Sequence, residues 1–168
     1  MIAARAKIGE FPDAATNEAA PQRVLAIDYG QKRIGLALSD ALGLTAQPLA
    51  MLVRTNRQND LRRLRSLCRA HGVRQIVVGH PVHMSGESNS MADEAERFAT
   101  RLRKELGIPV DLQDERLTSW EAEQIAAETR PSSRRKRGAL DDVAAAILLR
   151  EYLERKRGER SAAVKKRD

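Results

Sequence analysis

Short apolar runs open the patterned part of the chain and predict β-strands. Residues 23–28 (RVLAID) and 34–40 (IGLALSD) are two such runs, and the YGQKR segment between them suits a hairpin connection. A weaker third strand is predicted over 44–53, where Pro48 restricts it to a sheet edge or a bulge. This part of the chain is therefore predicted to be a three-stranded meander.

The hydrophobic period then changes, and helices alternate with strands. An amphipathic helix is predicted over 59–71, ending at Gly72. The further predicted elements are a strand over 74–79, a loop over 80–88, a helix over about 89–106, a strand over 110–115, a helix from Thr118 to about Thr129 that opens with a capping box, and a helix from Gly138 to about Arg157. The order βββ-α-β-α-β-α-α predicts an α/β fold, with a mixed five-stranded sheet and helices on both faces.

The chain of 168 residues is long enough for one hydrophobic core, and no internal repeat or second domain is visible. Residues 1–22 lack periodicity and are predicted to be a disordered leader. A single domain is predicted over 23–157, followed by a basic flexible tail over 158–168.

Composition narrows the partners. The net charge of +7 favours an anionic partner, above all nucleic acid, although an arginine-rich solvated surface is the alternative explanation. No run of 18 apolar residues and no signal-peptide pattern occurs, so no membrane partner and a cytoplasmic location are expected. The single cysteine, Cys68, lies in an apolar series and is predicted to be a small buried hydrophobe.

Acidic residues occupy the ends of three predicted elements. Asp28 closes the first strand, Asp114 and Glu115 close the last strand, and Asp141 and Asp142 lie in the first turn of the last helix. If the first and last strands are neighbours, their terminal acids meet at one sheet edge. Such a cluster needs a cation, and Mg²⁺ or Mn²⁺ suits oxygen ligands. Taken singly, an Asp at a strand end is more often a turn former than a ligand, and an acid in the first turn of a helix is already favoured by the helix dipole.

Periodicity helps with the helix acids and not with the strand acids. Asp141 lies beside the predicted apolar face of the last helix and Asp142 points away from it. On the last strand, alternation places Asp114 and Glu115 on opposite sides and leaves open which one faces the site. The predicted helix face consists of Leu140, Val143, Ala144, Ile147 and Leu148.

Four motifs in this order resemble those of the YqgF/RuvX family, whose members are described as pre-16S rRNA nucleases and as Holliday junction resolvase-like proteins. The resemblance runs from about Arg23 to Leu153 and implies an RNase H-like fold. The motifs are IDYGQKRIGLALSD (27–40), VVGHPVHMSGES (77–88), DERLTSWEAE (114–123) and LDDVAAAILLREYL (140–153).

The resemblance implies that Asp28, Glu115 and Asp141 are the catalytic and metal-binding residues, with Asp114 as a candidate supporting ligand. It implies a two-metal hydrolase that uses Mg²⁺, which Mn²⁺ can replace, and that cuts phosphodiester bonds. The expected function is maturation of the 5′ end of pre-16S rRNA. The alternative is resolution of four-way DNA junctions, which would favour a homodimer over a monomer because it requires two active sites.

Basic residues near these motifs are candidates for binding a substrate phosphate. Lys32 and Arg33 follow Asp28, and Arg116 follows the strand acids; a solvated turn and an internal ion pair are their alternative explanations. The segment 130–138 contains basic residues and no acid, as expected of a substrate-gripping loop. Its candidate residues are Arg134, Arg135, Lys136 and Arg137.

The chain departs from the family pattern at His80 and His83, where the family has Leu and Asn. An H-x-x-H pair can bind zinc, but no further soft ligand is close in sequence. Contact of His83 with substrate phosphate, or no function at all, is the expectation.

Two other classes of protein compete with a nuclease. An ATP-binding protein of the actin or sugar-kinase type also has an acid followed by a glycine turn, but the chain is too short for two lobes. A nucleic-acid-binding module without catalysis predicts that Asp28→Asn leaves binding and biological activity intact.

Overall fold

The computed structural model describes residues 22–81, 90–114 and 138–165, with the side chains of the last range described from residue 143 onward. The predicted leader up to residue 21, the predicted helix from Thr118 to Thr129 and the end of the predicted tail lie outside these ranges. The described elements are β1 (Arg23–Tyr29), β2 (Arg33–Ser39), β3 (Ala46–Val53), α1 (Arg57–His71), β4 (Val73–His80), α2 (Ser90–Leu106), β5 (Val110–Asp114) and α3 (Gly138–Lys165).

The five strands form one mixed sheet in the order β3-β2-β1-β4-β5. Strands β1, β2 and β3 pair antiparallel, whereas β1, β4 and β5 pair parallel. Strand β1 is central, and its carboxyl end lies at the same sheet edge as those of β4 and β5. The mixed five-stranded sheet predicted from the sequence is therefore confirmed.

Helices cover both faces of the sheet. Leu25 and Ile27 of β1 pack into a core with α1 and α2, whereas Val24 and Ala26 pack into a second core with α3. The two sets alternate along the strand because successive side chains point to opposite faces. This alternation decides below which site residues share a face.

Helix α1 begins at Arg57, two residues before the predicted start. The side chain of Asn56 accepts a hydrogen bond from the amide of Asn59 at 2.9 Å and so caps the first turn. Gly72 ends the helix as predicted, in the left-handed conformation with φ of 63°.

The prediction that the last helix ends near Arg157 and is followed by a flexible tail was wrong in its boundary. Helix α3 continues to Lys165. Gly158 inside it costs only about 1 kcal/mol relative to alanine, and charge pairs one turn apart span it: Arg155 and Lys156 lie 3.4 and 3.3 Å from Glu159. Within the described ranges, no helix is long and apolar enough to cross a bilayer.

Candidate active site

Asp28 is the penultimate residue of the central strand, and its side chain is half-buried. It continues the alternation of Val24 and Ala26, so it lies on the face that α3 covers. Its register partner on β2 is Gly35, and on β4 Gly79 follows Val78, the partner of Ile27. The two positions in register with Asp28 on the neighbouring strands are therefore both glycines.

Strand β5 presents Asp111 and Gln113 to the same face. The Tyr152 hydroxyl donates to Oδ2 of Asp111 at 2.7 Å, and Nη2 of Arg155 donates to Oε1 of Gln113 at 2.8 Å. Tyr152 and Arg155 belong to α3, so these two bonds join the last described helix to the edge strand. They also determine which side chains of β5 face α3 in the residues that precede the predicted acidic motif.

Asp114 lies on the opposite face from Asp28. It alternates with Gln113 and is in register with His80, which faces α2. The described structure therefore does not bring Asp114 and Asp28 onto one face. Glu115, the other candidate at this strand end, lies outside the described residues.

The terminal acids of the first and last strands were expected to meet if these two strands were neighbours. They are not neighbours. Strand β4 lies between them, so equivalent positions on β1 and β5 are roughly 10 Å apart. On the α3 face, the residue in between at the level of Gln113 is Gly79. Gly79 itself contributes no side chain between the two strand ends.

The predicted apolar face of the last helix was correct only in part: Ile147 and Leu148 are buried, but the centre of the face that packs on the sheet lies elsewhere. The α3 residues that pack on the sheet are Ala145, Leu148, Leu149, Tyr152 and Leu153, whereas Val143 of the predicted face is 36% exposed. At 100° per residue the packed face is about 140° from the predicted one. Because this helix is apolar almost all round, its periodicity was ambiguous, and it no longer separates Asp141 from Asp142. The preference for Asp141 rests on the resemblance alone.

The turn between β1 and β2, which we call the basic turn because it contains Lys32 and Arg33, lies at the same edge as Asp28. The amide of Gly30 donates to the carbonyl oxygen of Arg33 at 3.0 Å, which closes a tight hairpin. Lys32 is exposed in the hairpin, and Arg33 shares the α3 face with Gly35 because they are two residues apart. The structure thus brings Lys32 and Arg33 to the edge where Asp28 lies.

His80 was predicted to lie in a loop, but it is the last residue of β4. Its Nε2 lies 3.1 Å from Oε1 of Glu96 on α2, on the face opposite Asp28. Among the described residues, no group of three His, Cys, Asp or Glu side chains could hold a metal ion. His83 lies outside the described residues, as do Arg116, Arg134, Arg135, Lys136 and Arg137.

Comparison with known proteins decides the family. A family model described as "RuvX: Holliday junction resolvase" matches residues 22–155. The chain belongs to the RuvX family. The family expected from the four motifs is therefore confirmed.

Relatives of this RuvX chain carry a common name. A Koribacter versatilis protein is 44% identical over 134 residues, covering 80% of this chain and 88% of its own, and a Geobacillus kaustophilus protein is 42% identical over 137 residues, covering 80% and 99%. Both are named "Putative pre-16S rRNA nuclease".

A solved structure supports the fold. It is described as "T. thermophilus RuvC in complex with Holliday junction substrate" and aligns with a TM-score of 0.54 at 17% identity, covering 82% of this chain and 96% of its own. At this identity the likeness concerns the fold alone. It agrees with the expected RNase H-like architecture of the RuvX chain.

Sequence reasoning missed Arg54, which contacts the turn that follows Asp28. Its Nη1 donates to the carbonyl oxygens of Gly30 at 2.9 Å and Gln31 at 3.1 Å, and its guanidinium lies 4.6 Å from the ring centroid of Tyr29. Arg54 is 24 residues from Gly30 in this RuvX chain. No local pattern could reveal the contact, because it depends on how β3 lies in the sheet.

Proposed function

We propose that this chain is a Mg²⁺-dependent endonuclease that hydrolyses phosphodiester bonds during maturation of the 5′ end of pre-16S rRNA. The observation that carries the proposal is the position of Asp28. Its carboxylate lies near the carboxyl end of the central strand of a RuvX-family sheet, on the face covered by α3, with glycine at the in-register positions of both neighbouring strands. The names of the curated relatives support the choice of substrate.

The donor chemistry of this position fits Mg²⁺. The Asp28 carboxylate supplies hard oxygen ligands, which Mg²⁺ prefers, and the positions in register with it on β2 and β4 are glycines. We assign Asp28, Glu115 and Asp141 as the residues that would hold the ion, with Asp114 as a supporting candidate. Bound Mg²⁺ would supply Lewis-acid stabilisation of the charge that develops on the phosphate.

The assignment of Glu115 has support from the residues before it. Asp111 and Gln113 contact α3, and Glu115 has the same parity along the chain. Gly79 lies between this strand end and Asp28. The resemblance, rather than the structure, provides the reason for preferring Asp141 to Asp142.

Cationic side chains would orient the substrate. Lys32 and Arg33 lie at the Asp28 edge, where their charges can hold a phosphate against the carboxylates without taking part in the bond cleavage. We assign the same role to His83, Arg116 and the loop residues Arg134, Arg135, Lys136 and Arg137. The net charge of +7 favours the approach of a polyanionic substrate.

A second candidate function is cleavage of four-way DNA junctions. The description of the matching family model, "Holliday junction resolvase", favours it. This reading requires two active sites in one assembly, so it predicts a stable homodimer. A monomer that cuts precursor RNA would oppose it.

The test is a cleavage assay with the purified chain in Mg²⁺, offering a pre-16S rRNA fragment and a four-way DNA junction. Asp28→Asn should abolish cleavage of the preferred substrate while RNA binding persists. Asp40→Asn is the matched control, because Asp40 follows β2 at the opposite sheet edge and an amide oxygen can still accept its hydrogen bonds from Leu44 and Thr45. Cleavage by Asp28→Asn at the parental rate would refute the proposal.

A further inference from the structure

Helix α1 has an uneven charge distribution. It contains five arginines and a single acid, Asp60. That acid is only 4% exposed, and its Oδ1 accepts a hydrogen bond from the amide of Thr55 at 3.1 Å. Asp60 therefore contributes little to the outer surface of the helix. The arginines are Arg57, Arg62, Arg63, Arg65 and Arg69.

The arginines of α1 are mostly not neutralised. Arg65 lies 3.7 Å from Glu105 on α2. Arg57, Arg62 and Arg69 are exposed, and within the part of the chain that the structure describes no acid lies at ion-pair distance from them. We call these three residues the α1 surface. Helix α2, on the same face of the sheet, has as many acidic as basic residues, so its charges balance.

The α1 surface begins at the sheet edge where Asp28 lies, on the face opposite the Asp28 carboxylate. Strand β3 runs parallel to β1, so α1 begins at that edge directly after β3. Val53, the last residue of β3, is in register with Arg33 and accepts a hydrogen bond from Nη1 of Arg63 at 3.1 Å. Arg57 is thus near the turn that contains Lys32 and Arg33. Arg62 and Arg69 share one stripe of α1, about 120–140° around the helix axis from Arg57, and Arg69 lies roughly 18 Å along the axis from Arg57.

We propose that the α1 surface binds the phosphate backbone of the nucleic-acid substrate beyond the bond that is cut. The inference rests on the proposed function and adds a second contact region to it. Guanidinium groups without acidic partners match phosphate in charge and geometry, and contacts of this kind position a nucleic acid without reading its sequence. The α1 surface should therefore contribute to the affinity for the substrate and not to the chemical step.

The test compares two triple variants with the same change in net charge. Arg57→Gln, Arg62→Gln and Arg69→Gln together remove the α1 surface. Arg97→Gln, Arg101→Gln and Lys104→Gln together form the control on α2, where acids balance the charge. Glutamine retains helix propensity in both.

Binding of a labelled pre-16S rRNA fragment is measured between 50 and 200 mM KCl, in an Asp28→Asn background that prevents cleavage. Log K falls as log salt rises, and each lost phosphate contact reduces the magnitude of this slope by about 0.7–0.9. We expect the α1 triple to lower the slope by about 2 and the α2 triple by less than about 0.5. With Asp28 restored, the α1 triple should raise KM several-fold and leave kcat unchanged.

A third variant guards against a folding defect. Arg57→Lys, Arg62→Lys and Arg69→Lys together keep the charge, so most of the slope should be retained. Equal slopes for the two glutamine triples would overturn the inference while leaving cleavage, and so the proposed function, intact. If the parent does not cleave but the two glutamine triples differ in slope, the proposed function would be rejected while the α1 surface would stand as a binding surface.

Discussion

Nη1 of Arg54 donates a 2.9 Å hydrogen bond to the main-chain carbonyl oxygen of Gly30, two residues after Asp28. The Arg54 guanidinium also lies 4.6 Å from the ring centroid of Tyr29, and its Nε lies 3.8 Å from Oδ2 of the buried Asp60. One side chain therefore connects the start of α1 to the turn that follows the central strand. Since that turn contains Lys32 and Arg33, Arg54 is a positioning residue for the candidate site.

Replacing Arg54 with alanine should impair both folding and cleavage. The two carbonyl hydrogen bonds would be lost, at about 1–2 kcal/mol of stability, and the buried Asp60 carboxylate would lose its cationic partner at a further cost. The turn after Asp28 would also lose its support. We expect single-turnover cleavage to slow by about tenfold, a change of about 1.4 kcal/mol in the barrier. Arg54→Lys keeps the charge but not the planar fork, so it should restore activity only in part.

The control for Arg54 is Arg103→Ala. Nη2 of Arg103 donates to the carbonyl oxygen of Val110 at 2.6 Å, which is the same kind of bond at the start of β5, away from the Asp28 edge. It should lower the midpoint of thermal unfolding and leave the cleavage rate of the folded protein unchanged. Equal cleavage losses in both variants would contradict a positioning role for Arg54.

Gly30→Ala should disturb the same turn from inside. A Cβ at this position would lie 2.6 Å from the carbonyl oxygen of Arg33, so the hairpin must shift. We expect a loss of about 1–3 kcal/mol in stability and a marked fall in the cleavage rate, measured by urea unfolding and single-turnover assays.

Gly158→Ala is the contrasting case. A Cβ there meets nothing within 4 Å on helix α3, so the variant should gain up to about 1 kcal/mol of stability with unchanged cleavage. A Gly30→Ala protein as stable and active as the parent would show that the close approach to Arg33 is unimportant.

Much of the fold could be predicted from the sequence because hydrophobic runs, together with local turn and cap residues such as proline and glycine, determine it. Pro48 was predicted to lie at a sheet edge or a bulge. Strand β3 is one of the two edge strands, and its pairing with β2 has a register shift between Ile34 and Leu36 of β2. Gly72 ended α1 as predicted, since a left-handed cap is a local signal. Cys68 was predicted to be buried and is 2% exposed.

The candidate site was less predictable because it depends on topology. Alternation could show that Asp114 and Glu115 differ in face, but only the contacts of Asp111 with α3 show which face is that of Asp28. The face of α3 could not be chosen because the helix is apolar almost all round. The role of Arg54 was invisible because its partners are distant in the chain.

Tyr152→Phe should weaken the attachment of α3 to the edge strand. Burial, reinforced by the hydrogen bond to Asp111, raises the pKa of the Tyr152 phenol far above its usual value, so the hydroxyl remains a donor. Losing this 2.7 Å bond to a carboxylate should cost about 1.5–3 kcal/mol, measured by urea unfolding.

Lys156→Gln is the control for Tyr152. Lys156 lies 3.6 Å from the same Asp111 carboxylate but is 37% exposed, so we expect a loss of at most about 1 kcal/mol. Equal losses in the two variants would argue against a dominant role for the phenol hydrogen bond.

Cys68 should be unreactive in the folded protein and should make stability fall at alkaline pH. Burial raises the pKa of its thiol to about 11, so at pH 8 hardly any thiolate forms, and a disulfide-exchange reagent should label it only after unfolding in urea. Because the folded pKa lies above the unfolded value of 9.0, the contribution to stability is complete below pH 9 and is lost as the pH rises through 11. The parent should therefore lose more stability than Cys68→Ala between pH 8.5 and 10.5, when both are measured by urea unfolding with a reductant present. Rapid labelling of the native protein at pH 8, or parallel pH profiles of the two proteins, would contradict the buried thiol.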